Sequence, residues 1–412
     1  MSTFEKEIEV SGHLVDSSIL TRIFDKVMDM KGDFTVKEFT IGKKKEDHSY
    51  ARLVIRANTE FHLSEILENL FREGATSVST DNVTCIMAPN DMVLPDDFYS
   101  TTNNSTQLYF NNKWITVERM MMDKCIVLDP VLKRAECRTN REIKKGDLIV
   151  TGERGIKIVP QERPREGVDI FQFMSSSSSS ERPSQQIAKK VALDIVRTKR
   201  DSGKIVIVAG PVVVHSGASD IIAKMIKLRL IDGILAGNAL AVHDIENALL
   251  GTSLGMHVND GTLAVRGHRN HMLVVNEVFK AGSIRSMVET GKLTKGIMYE
   301  CIKEDIPFVL CGSIRDDGPI PDVITDVVEA QMQYKSVLKD AKLVIMLSTM
   351  LHSIAVGNML PASVKVIAVD INQPVVTKLL DRGTSQAIGV VTDIGSFLPI
   401  VMRNLETLLA KD

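Results

Sequence analysis

The feature that most restricts the fold is a series of short apolar segments that begins after Pro183 and alternates with helical patterns. The first, KIVIVAG at 204–210, is apolar after its lysine, as is typical of a strand buried on both faces of a parallel sheet. Similar segments follow at 232–237, 307–312, 342–347, 364–370 and 386–391. This alternation predicts an α/β fold, with a doubly wound parallel-sheet Rossmann-like domain over residues 186–412.

The first hundred residues have a different pattern. A strand-like run at 5–14 precedes a helical pattern, two β-rich runs pair across the charged GKKKEDHS segment, and a helix over 63–72 leads into a short strand. This order predicts a βαββαβ α+β domain over residues 1–100. Such a domain can bind an amino acid or regulate its neighbour, or it can be a structural or dimerising module.

The middle of the chain predicts two further regions. Short β-prone pieces such as WITVE and KCIVLD predict a small β-rich domain over 101–170. Six consecutive serines, Ser175 to Ser180, are typical of a flexible linker over 171–185. The flanking Arg163, Arg165 and Phe171 are unusual in a spacer and suit packing at a domain junction instead.

Composition excludes several classes of protein. A net charge of −2 gives no general attraction for nucleic acid or an anionic membrane. The five cysteines show no C-x-x-C spacing, and no run approaches the length of a membrane helix or a signal core. His257, His268 and His271 lie in a glycine-rich loop without carboxylate or thiol partners, which is a poor metal motif. We therefore expect a cytoplasmic protein without a metal, nucleic-acid or membrane partner.

In parallel sheets ligands bind beyond the carboxyl ends of the strands, where the strand order reverses. The loop Ala209–Ala218 follows the first strand, but G-x-G-x-x-G is absent from the chain, so this pattern indicates only a nucleotide or small-ligand site. Ser348 to Ser353 follow another strand and are rich in hydroxyl groups. These suit a pyrophosphate, although Ser348 or Thr349 can equally be a simple helix cap.

Acidic residues follow three more strands. Asp370 is placed to accept the hydroxyls of an adenosine ribose and to repel the phosphate of NADP, which favours NAD; its alternative is a helix cap. Thr392 and Asp393 begin a helix in a similar manner. Asp316 and Asp317 follow the strand at 307–312, and paired acids there suit a cationic diamine or simply a capped surface turn.

At these residues the chain resembles a known family, the archaeal ornithine cyclodeaminases. Their conserved region is shared with bifunctional lysine-ketoglutarate reductase/saccharopine dehydrogenase proteins and with the C-terminal part of cyanobacterial arginine dihydrolase/ornithine cyclodeaminase fusions. The C-terminal half also looks like the NAD-binding fold of deoxyhypusine synthase. The resemblance rests on PDDFYSTTN (95–103), MMDKCIVLD (121–129), RPREG, FMSSSSSSERP, AGPVVVHSGA, LAGNALAVHDIE, SIRDDGPIPD and LSTMLHSIAVGNMLP.

The resemblance implies that NAD is held tightly and recycled in each turnover. A hydride leaves Cα of L-ornithine, the δ-amine attacks the resulting imine, ammonia departs, and the cyclic imine takes the hydride back to become L-proline. Enclosure gives the δ-amine a high effective concentration and protects the imine from water. Net redox change is zero, so the implied enzyme is an ammonia-lyase.

The resemblance also implies site residues. A base must neutralise the ornithine ammonium before hydride can leave, and the candidates are Asp317, His243 and His352. Asp244 or Glu246 would bind the δ-ammonium, and Arg165 or Arg315 the carboxylate. The implied NAD contacts are Asn238, Ala239, Asp316, Ser348, Thr349, Met350, Leu351, His352, Asp370, Thr392 and Asp393.

Two other functions stay open at this point. One is an ordinary NAD-linked amino-acid dehydrogenase acting on lysine, saccharopine or alanine, and the other is a non-catalytic sensor of NAD and an amino acid. In each case we expect a homo-oligomer, a dimer or higher, because parallel-sheet domains of this type often dimerise.

Overall fold

The computed structural model describes residues 4–12, 14, 19–42, 47–77, 81–159, 184–264, 267–316, 318–382 and 387–410. The chain forms two compact units, one comprising 1–173 with 360–363 and the other 174–359 with 364–412. The RPREG segment with Arg165, the serine run and Asp317 lie outside the described residues, so the predictions made for them stay predictions.

The N-terminal part of the first unit has the predicted βαββαβ order. Its four strands form an antiparallel sheet in the order β2-β3-β1-β4, and the elements are β1 Phe4–Gly12, α1 Ile19–Asp29, β2 Asp33–Thr40, β3 Ser49–Ala57, α2 Glu60–Arg72 and β4 Thr76–Ser77. Helix α2 begins three residues earlier than predicted because the hydroxyl of Thr59 accepts the N–H of His62 at 3.1 Å and caps it. Ile8, Leu53 and Ile66 lie in its buried core.

The rest of the first unit is the predicted β-rich region. Its strands pair in the order β11-β6-β7-β9-β8-β10-β5, and every described neighbour is antiparallel except β7 with β9. Leu108, Ile126 and Val150 belong to its apolar core. The strands are β5 Thr84–Met87, β6 Ser105–Phe110, β7 Lys113–Glu118, β8 Cys125–Asp129, β9 Arg134–Arg138, β10 Leu148–Thr151 and β11 Ile156–Val159.

The second unit is the predicted doubly wound domain. Its seven-stranded sheet contains the six predicted strands and a short edge strand that the sequence pattern did not indicate. The sheet strands are β12 Lys204–Ala209, β13 Gly233–Gly237, β16 Phe308–Cys311, β17 Val323–Ile324, β18 Ala341–Leu347, β19 Lys365–Asp370 and β20 Ala387–Val391, and β14 Thr252–Ser253 and β15 Met256–His257 form a separate hairpin.

Helices alternate with these strands along the chain. They are α3 Ser184–Arg200, α4 Val212–His215, α5 Ser219–Lys227, α6 Asn238–Leu250, α7 Asn270–Ala281, α8 Ile284–Glu289, α9 Ile297–Lys303, α10 Val327–Leu338, α11 Met350–Gly357, α12 Gln373–Arg382 and α13 Ile394–Leu409. Among the described helices, none has both the length and the apolar character needed to cross a bilayer.

The strand order places a topological switch point between β12 and β18. All pairs are parallel, in the order β17-β16-β13-β12-β18-β19-β20. From β12 the chain builds outward through β13 and β16, and it then returns to the other side of β12 to build outward through β18 and β19. Because the connections diverge there, a crevice opens beyond the carboxyl ends of β12 and β18.

Burial on both faces explains why the strands lack alternation. Residues 205–209 of β12 are all buried, because helices cover both faces of the sheet. On one face, α13 packs against α3, and Phe397 contributes one of the largest fully buried side chains of the domain.

Phe397→Ala tests this packing. The side chain is 1% exposed, so its removal leaves a cavity, and we expect a loss of about 3–5 kcal/mol in the free energy of unfolding of the second unit. Leu409→Ala on the same helix is the control, because that side chain is 37% exposed and its loss should cost under about 1.5 kcal/mol. Urea unfolding of the two variants measures the difference, and equal midpoints would contradict the assigned packing.

Candidate active site at the switch point

The floor of the crevice is made by two backbone segments in close contact. The N–H of Gly210 donates to the carbonyl of Leu347 at 2.9 Å, and a Cβ at Gly210 would fall on the carbonyl oxygen of Ser348. The N–H of Ser348 donates in turn to Val369 at 2.9 Å. Because glycine has no side chain, Gly210 permits the backbones of the two strand ends to approach this closely.

The hydroxyl-rich segment begins α11 at this crevice. Ser348 has φ of 44°, and Thr349 is the N-cap residue without a capping side-chain hydrogen bond in the described part of the chain. Met350 and Leu351, in the first turn of α11, are both exposed, and Leu351 is 64% exposed. The N–H groups of the first turn of a helix have no partner within the helix, so this turn of α11 suits the place predicted for a pyrophosphate.

Asp370 ends β19, next to the strand that leads into α11. One carboxylate oxygen accepts the N–H of Asn372 at 2.8 Å, and the side chain is half-buried. The N–H of Thr392 donates to the backbone carbonyl of Asp370 at 3.1 Å, so the two strand ends lie side by side. Asp393 is exposed and caps α13 by accepting the N–H of Ser396 at 2.9 Å, which is the helix-cap arrangement.

The remaining predicted cofactor contacts follow β13 and β16. Asn238 and Ala239 begin α6, and Oδ1 of Asn238 accepts the N–H of Ile320 at 3.2 Å. Asp316 accepts the N–H of Ser313 at 2.7 Å and closes the turn after β16, which is the capped-turn alternative. Asn238 thereby ties the loop after β16 to the start of α6.

The side chain of His352 lies beside Gly237, at the carboxyl end of β13. Its Nδ1 is 3.1 Å from the hydroxyl of Tyr334, which itself donates to the carbonyl of Ala236 at 2.7 Å. A methyl group at Gly237 would lie 2.7 Å from Nε2 of His352. Burial lowers the pKa of His352, and the carboxylate of Asp316 acts in the opposite direction. A mostly uncharged imidazole therefore sits at the carboxyl end of β13.

A second imidazole belongs to a buried polar network on α6. Nδ1 of His243 is 2.8 Å from Oε2 of Glu246, whose side chain is 0% exposed. Oε1 of Glu246 accepts the hydroxyl of Thr252 at 2.8 Å, and Asn270 donates to that hydroxyl at 2.8 Å. Burial opposes ionisation of Glu246, yet these hydrogen bonds hold its pKa below the ordinary value.

His215 extends this network from α4. Its ring centroid is 4.7 Å from that of His243, with the rings edge to face, and its Nδ1 is 2.6 Å from the hydroxyl of Ser253. Burial, with a smaller effect of His243, lowers the pKa of His215 to about 4. His215 is therefore uncharged at neutral pH.

The carboxylate of Asp244 anchors another helix. Its two carboxylate oxygens accept the N–H groups of Ile297 and Met298 at 2.9 and 2.8 Å, at the start of α9. The side chain is fully buried, and burial raises its pKa to about 6. Because both of its oxygens accept hydrogen bonds from α9, Asp244 is a poor candidate for binding the δ-ammonium of the substrate.

Family comparisons now identify the fold. Consecutive family models match the LOR/SDH bifunctional enzyme conserved region at 5–104, the arginine dihydrolase ArgZ-like C-terminal first region at 105–188, and the ArgZ-like C-terminal Rossmann fold at 189–401. An ornithine cyclodeaminase of Methanothermobacter thermautotrophicus is 53% identical over 401 residues, which cover 97% of this chain and 98% of that protein. The chain belongs to the archaeal ornithine cyclodeaminase family.

Two solved structures extend this result to related proteins. A conserved LOR/SDH protein from Methanococcus maripaludis S2 is 49% identical, with a TM-score of 0.77, over 80% of this chain and 99% of that chain. AgrE, solved as a ternary complex with ornithine and NAD⁺, is 38% identical with a TM-score of 0.55, over 100% of this chain and 59% of that chain.

For this member of the ornithine cyclodeaminase family, the structure adds two residues that the sequence analysis did not assign. Tyr334 contacts His352 from α10, and His215 contacts His243 from α4. His215 belongs to AGPVVVHSGA, which the sequence analysis treated as a loop after the first strand, and its place in that segment was the available signal. Tyr334 gave none, because it lies mid-helix. Among the described residues, no group of three or more His, Cys, Asp or Glu side chains is arranged to hold a metal ion.

Gly210→Ala tests the floor of the crevice. The added methyl would overlap the carbonyl of Ser348, so β12 and β18 must separate, and we expect a loss of about 1–3 kcal/mol in the free energy of unfolding. Gly312→Ala is the matched control, because its methyl would meet neighbours only at 3.4 Å. Chemical denaturation compares them, and a Gly210→Ala variant as stable as the control would contradict the close approach.

Proposed function

We propose that this chain converts L-ornithine to L-proline and ammonia, with NAD bound in the crevice between β12 and β18. The observation that carries the proposal is the switch point between β12 and β18, where Gly210 lets the two strand ends meet and the hydroxyl-rich start of α11 follows. Membership of the ornithine cyclodeaminase family and the AgrE complex with ornithine and NAD⁺ support the choice of substrate and cofactor.

The residues around the crevice fit NAD. The first turn of α11, with Ser348 and Thr349, suits the pyrophosphate. Asp370 accepts the N–H of Asn372 with one carboxylate oxygen, and its other oxygen can accept the ribose hydroxyls. The exposed apolar side chains of Met350, Leu351 and Ile371 flank this position and suit the adenine ring. When bound, NAD accepts a hydride from Cα and returns it to the cyclic imine, so the net redox change is zero.

His352 is the base in this proposal. A protonated α-amine cannot release a hydride, so a neutral acceptor must first remove its proton. Burial lowers the pKa of His352, which keeps the imidazole able to accept a proton at neutral pH. Asp316 stabilises the charge that His352 then acquires.

The pair of His243 and Glu246 is the second acid–base group of the proposal. Glu246 is ionised at neutral pH, so Nδ1 of His243 donates to it. This hydrogen bond orients the imidazole of His243, which is the proposed donor of the proton that departing ammonia needs. Asp317 stays a predicted alternative base, and Arg315, which is exposed, a predicted partner for the substrate carboxylate.

Ornithine deuterated at Cα tests the function. We expect the purified protein to release proline that retains the deuterium, without accumulating NADH, because the same hydride returns to the product. Mass spectrometry of the proline and absorbance of NADH are the readouts. Stoichiometric NADH without proline would instead establish an amino-acid dehydrogenase, and NAD binding without turnover of ornithine would establish a sensor.

Asp370→Asn tests the cofactor orientation. An amide offers the ribose a weaker acceptor and no charge, so we expect NAD affinity to fall roughly 10- to 100-fold, while NADP binds relatively better. Asp340→Asn is the control, because that exposed residue precedes β18 at the opposite edge of the sheet. Calorimetric titration with both nucleotides measures the change, and unchanged NAD affinity would argue against a contact between Asp370 and the ribose.

A further inference from the structure

We infer that Tyr334 is a positioning residue that fixes which ring nitrogen of His352 carries hydrogen, and so leaves Nε2 as the proton acceptor in the crevice. The arrangement of three groups carries the inference: the hydroxyl of Tyr334, the carbonyl of Ala236 and Nδ1 of His352. The effect of Tyr334 on turnover rests on the proposed function, whereas the position of the hydrogen on the ring of His352 does not depend on it.

The count of hydrogen atoms decides the direction of each bond. The oxygens of Tyr334 and Ala236 are 2.7 Å apart, and a carbonyl has no hydrogen, so the phenol must donate its only one to Ala236. The phenol oxygen can then only accept from Nδ1 of His352, at 3.1 Å. If Nδ1 lacked a hydrogen, either this contact or the one between the two oxygens would hold no hydrogen at all.

The neutral His352 therefore carries its hydrogen on Nδ1, and Nε2 has the lone pair. Nε2 is the ring atom that faces Gly237, where the central strands end at the crevice. Burial raises the pKa of Tyr334, so the phenol keeps its proton throughout the physiological range. The charged and titratable groups that act on this pair are Asp316, on His352, and Cys311, on Tyr334.

The fold holds the phenol rigidly in this place. Asp326 is the N-cap residue of helix α10, and its carboxylate accepts the N–H groups of Val328 and Glu329. Ala330, Tyr334 and Val337 are all buried on that helix, at the spacing of a single face. A hydroxyl on a packed ring at this position cannot rotate away without the loss of both hydrogen bonds.

A purely structural contribution of Tyr334 makes different predictions. If the hydroxyl served only to tie α10 to β13, its removal would lower stability but would leave the proton on the same nitrogen of His352 and the pH profile in the same place. A positioning contribution changes both. The test therefore reads the ring nitrogens and the pH profile rather than activity alone.

The first measurement is the tautomer. In the full chain labelled with ¹⁵N-histidine, we expect the ring resonances of His352 at neutral pH to show hydrogen on Nδ1, with His352→Gln used to assign them. In Tyr334→Phe we expect a shift toward hydrogen on Nε2. Hydrogen on Nε2 in the natural protein would overturn the inference, and this readout needs no turnover.

The second measurement is the pH profile of kcat/KM for ornithine. For Tyr334→Phe we expect the plateau to fall about 10- to 100-fold, because part of the imidazole presents the wrong nitrogen. Loss of the acceptor at Nδ1 destabilises the protonated ring, so the pKa of His352 falls and the acid limb should move to lower pH. Tyr299→Phe on α9 is the matched control. It also removes a phenol hydroxyl from a helix, but Tyr299 is not a hydrogen-bond partner of His352.

The outcomes separate this inference from the proposed function. If the natural protein makes proline and Tyr334→Phe matches Tyr299→Phe in plateau and acid limb, the positioning assignment is wrong while the function stands. If the natural protein makes no proline but its His352 carries hydrogen on Nδ1, and Tyr334→Phe moves that hydrogen, the function is wrong and the assignment of the phenol stands.

Discussion

The contact between the ends of β12 and β18 is the interaction on which the rest of the site depends. The backbone of Gly210 meets that of Ser348 without a side chain between them, and the hydrogen bond from Gly210 to Leu347 holds the two strand ends together. Because the connections diverge at these strands, this contact is also the floor of the crevice. It joins the half of the sheet that carries Asp370 to the half that carries Gly237, so that the proposed cofactor contact and the proposed base lie at the same edge of the sheet.

Much of this fold could be predicted from the sequence, for definite physical reasons. A strand covered by helices on both faces must be apolar throughout, so KIVIVA and the similar segments could be recognised as strands from the sequence. Asp370 stands out because a carboxylate directly after such a strand must lie at its carboxyl end. The edge strand Val323–Ile324 gave no such signal, since two residues are too few to show any period.

The hydrogen-bond partners of the proposed acid–base groups could not be predicted, because they join residues that only the fold brings together. Tyr334 is 98 residues from Ala236 in sequence, yet it links that carbonyl to His352. The imidazoles of His352 and His243 are held in a similar way. Each has a partner at Nδ1, a phenol for His352 and the buried carboxylate of Glu246 for His243. The histidines were visible in the sequence, but the partners of their ring nitrogens were not.

A crystal structure of the protein with NAD bound tests the central claim most directly, namely that the crevice at the switch point holds the cofactor. The account predicts the pyrophosphate at the first turn of α11, the adenosine ribose within hydrogen-bond distance of the carboxylate of Asp370, and the nicotinamide on the side of Gly237 and His352. A dinucleotide bound elsewhere, or in the crevice with its ribose away from Asp370, would contradict the account.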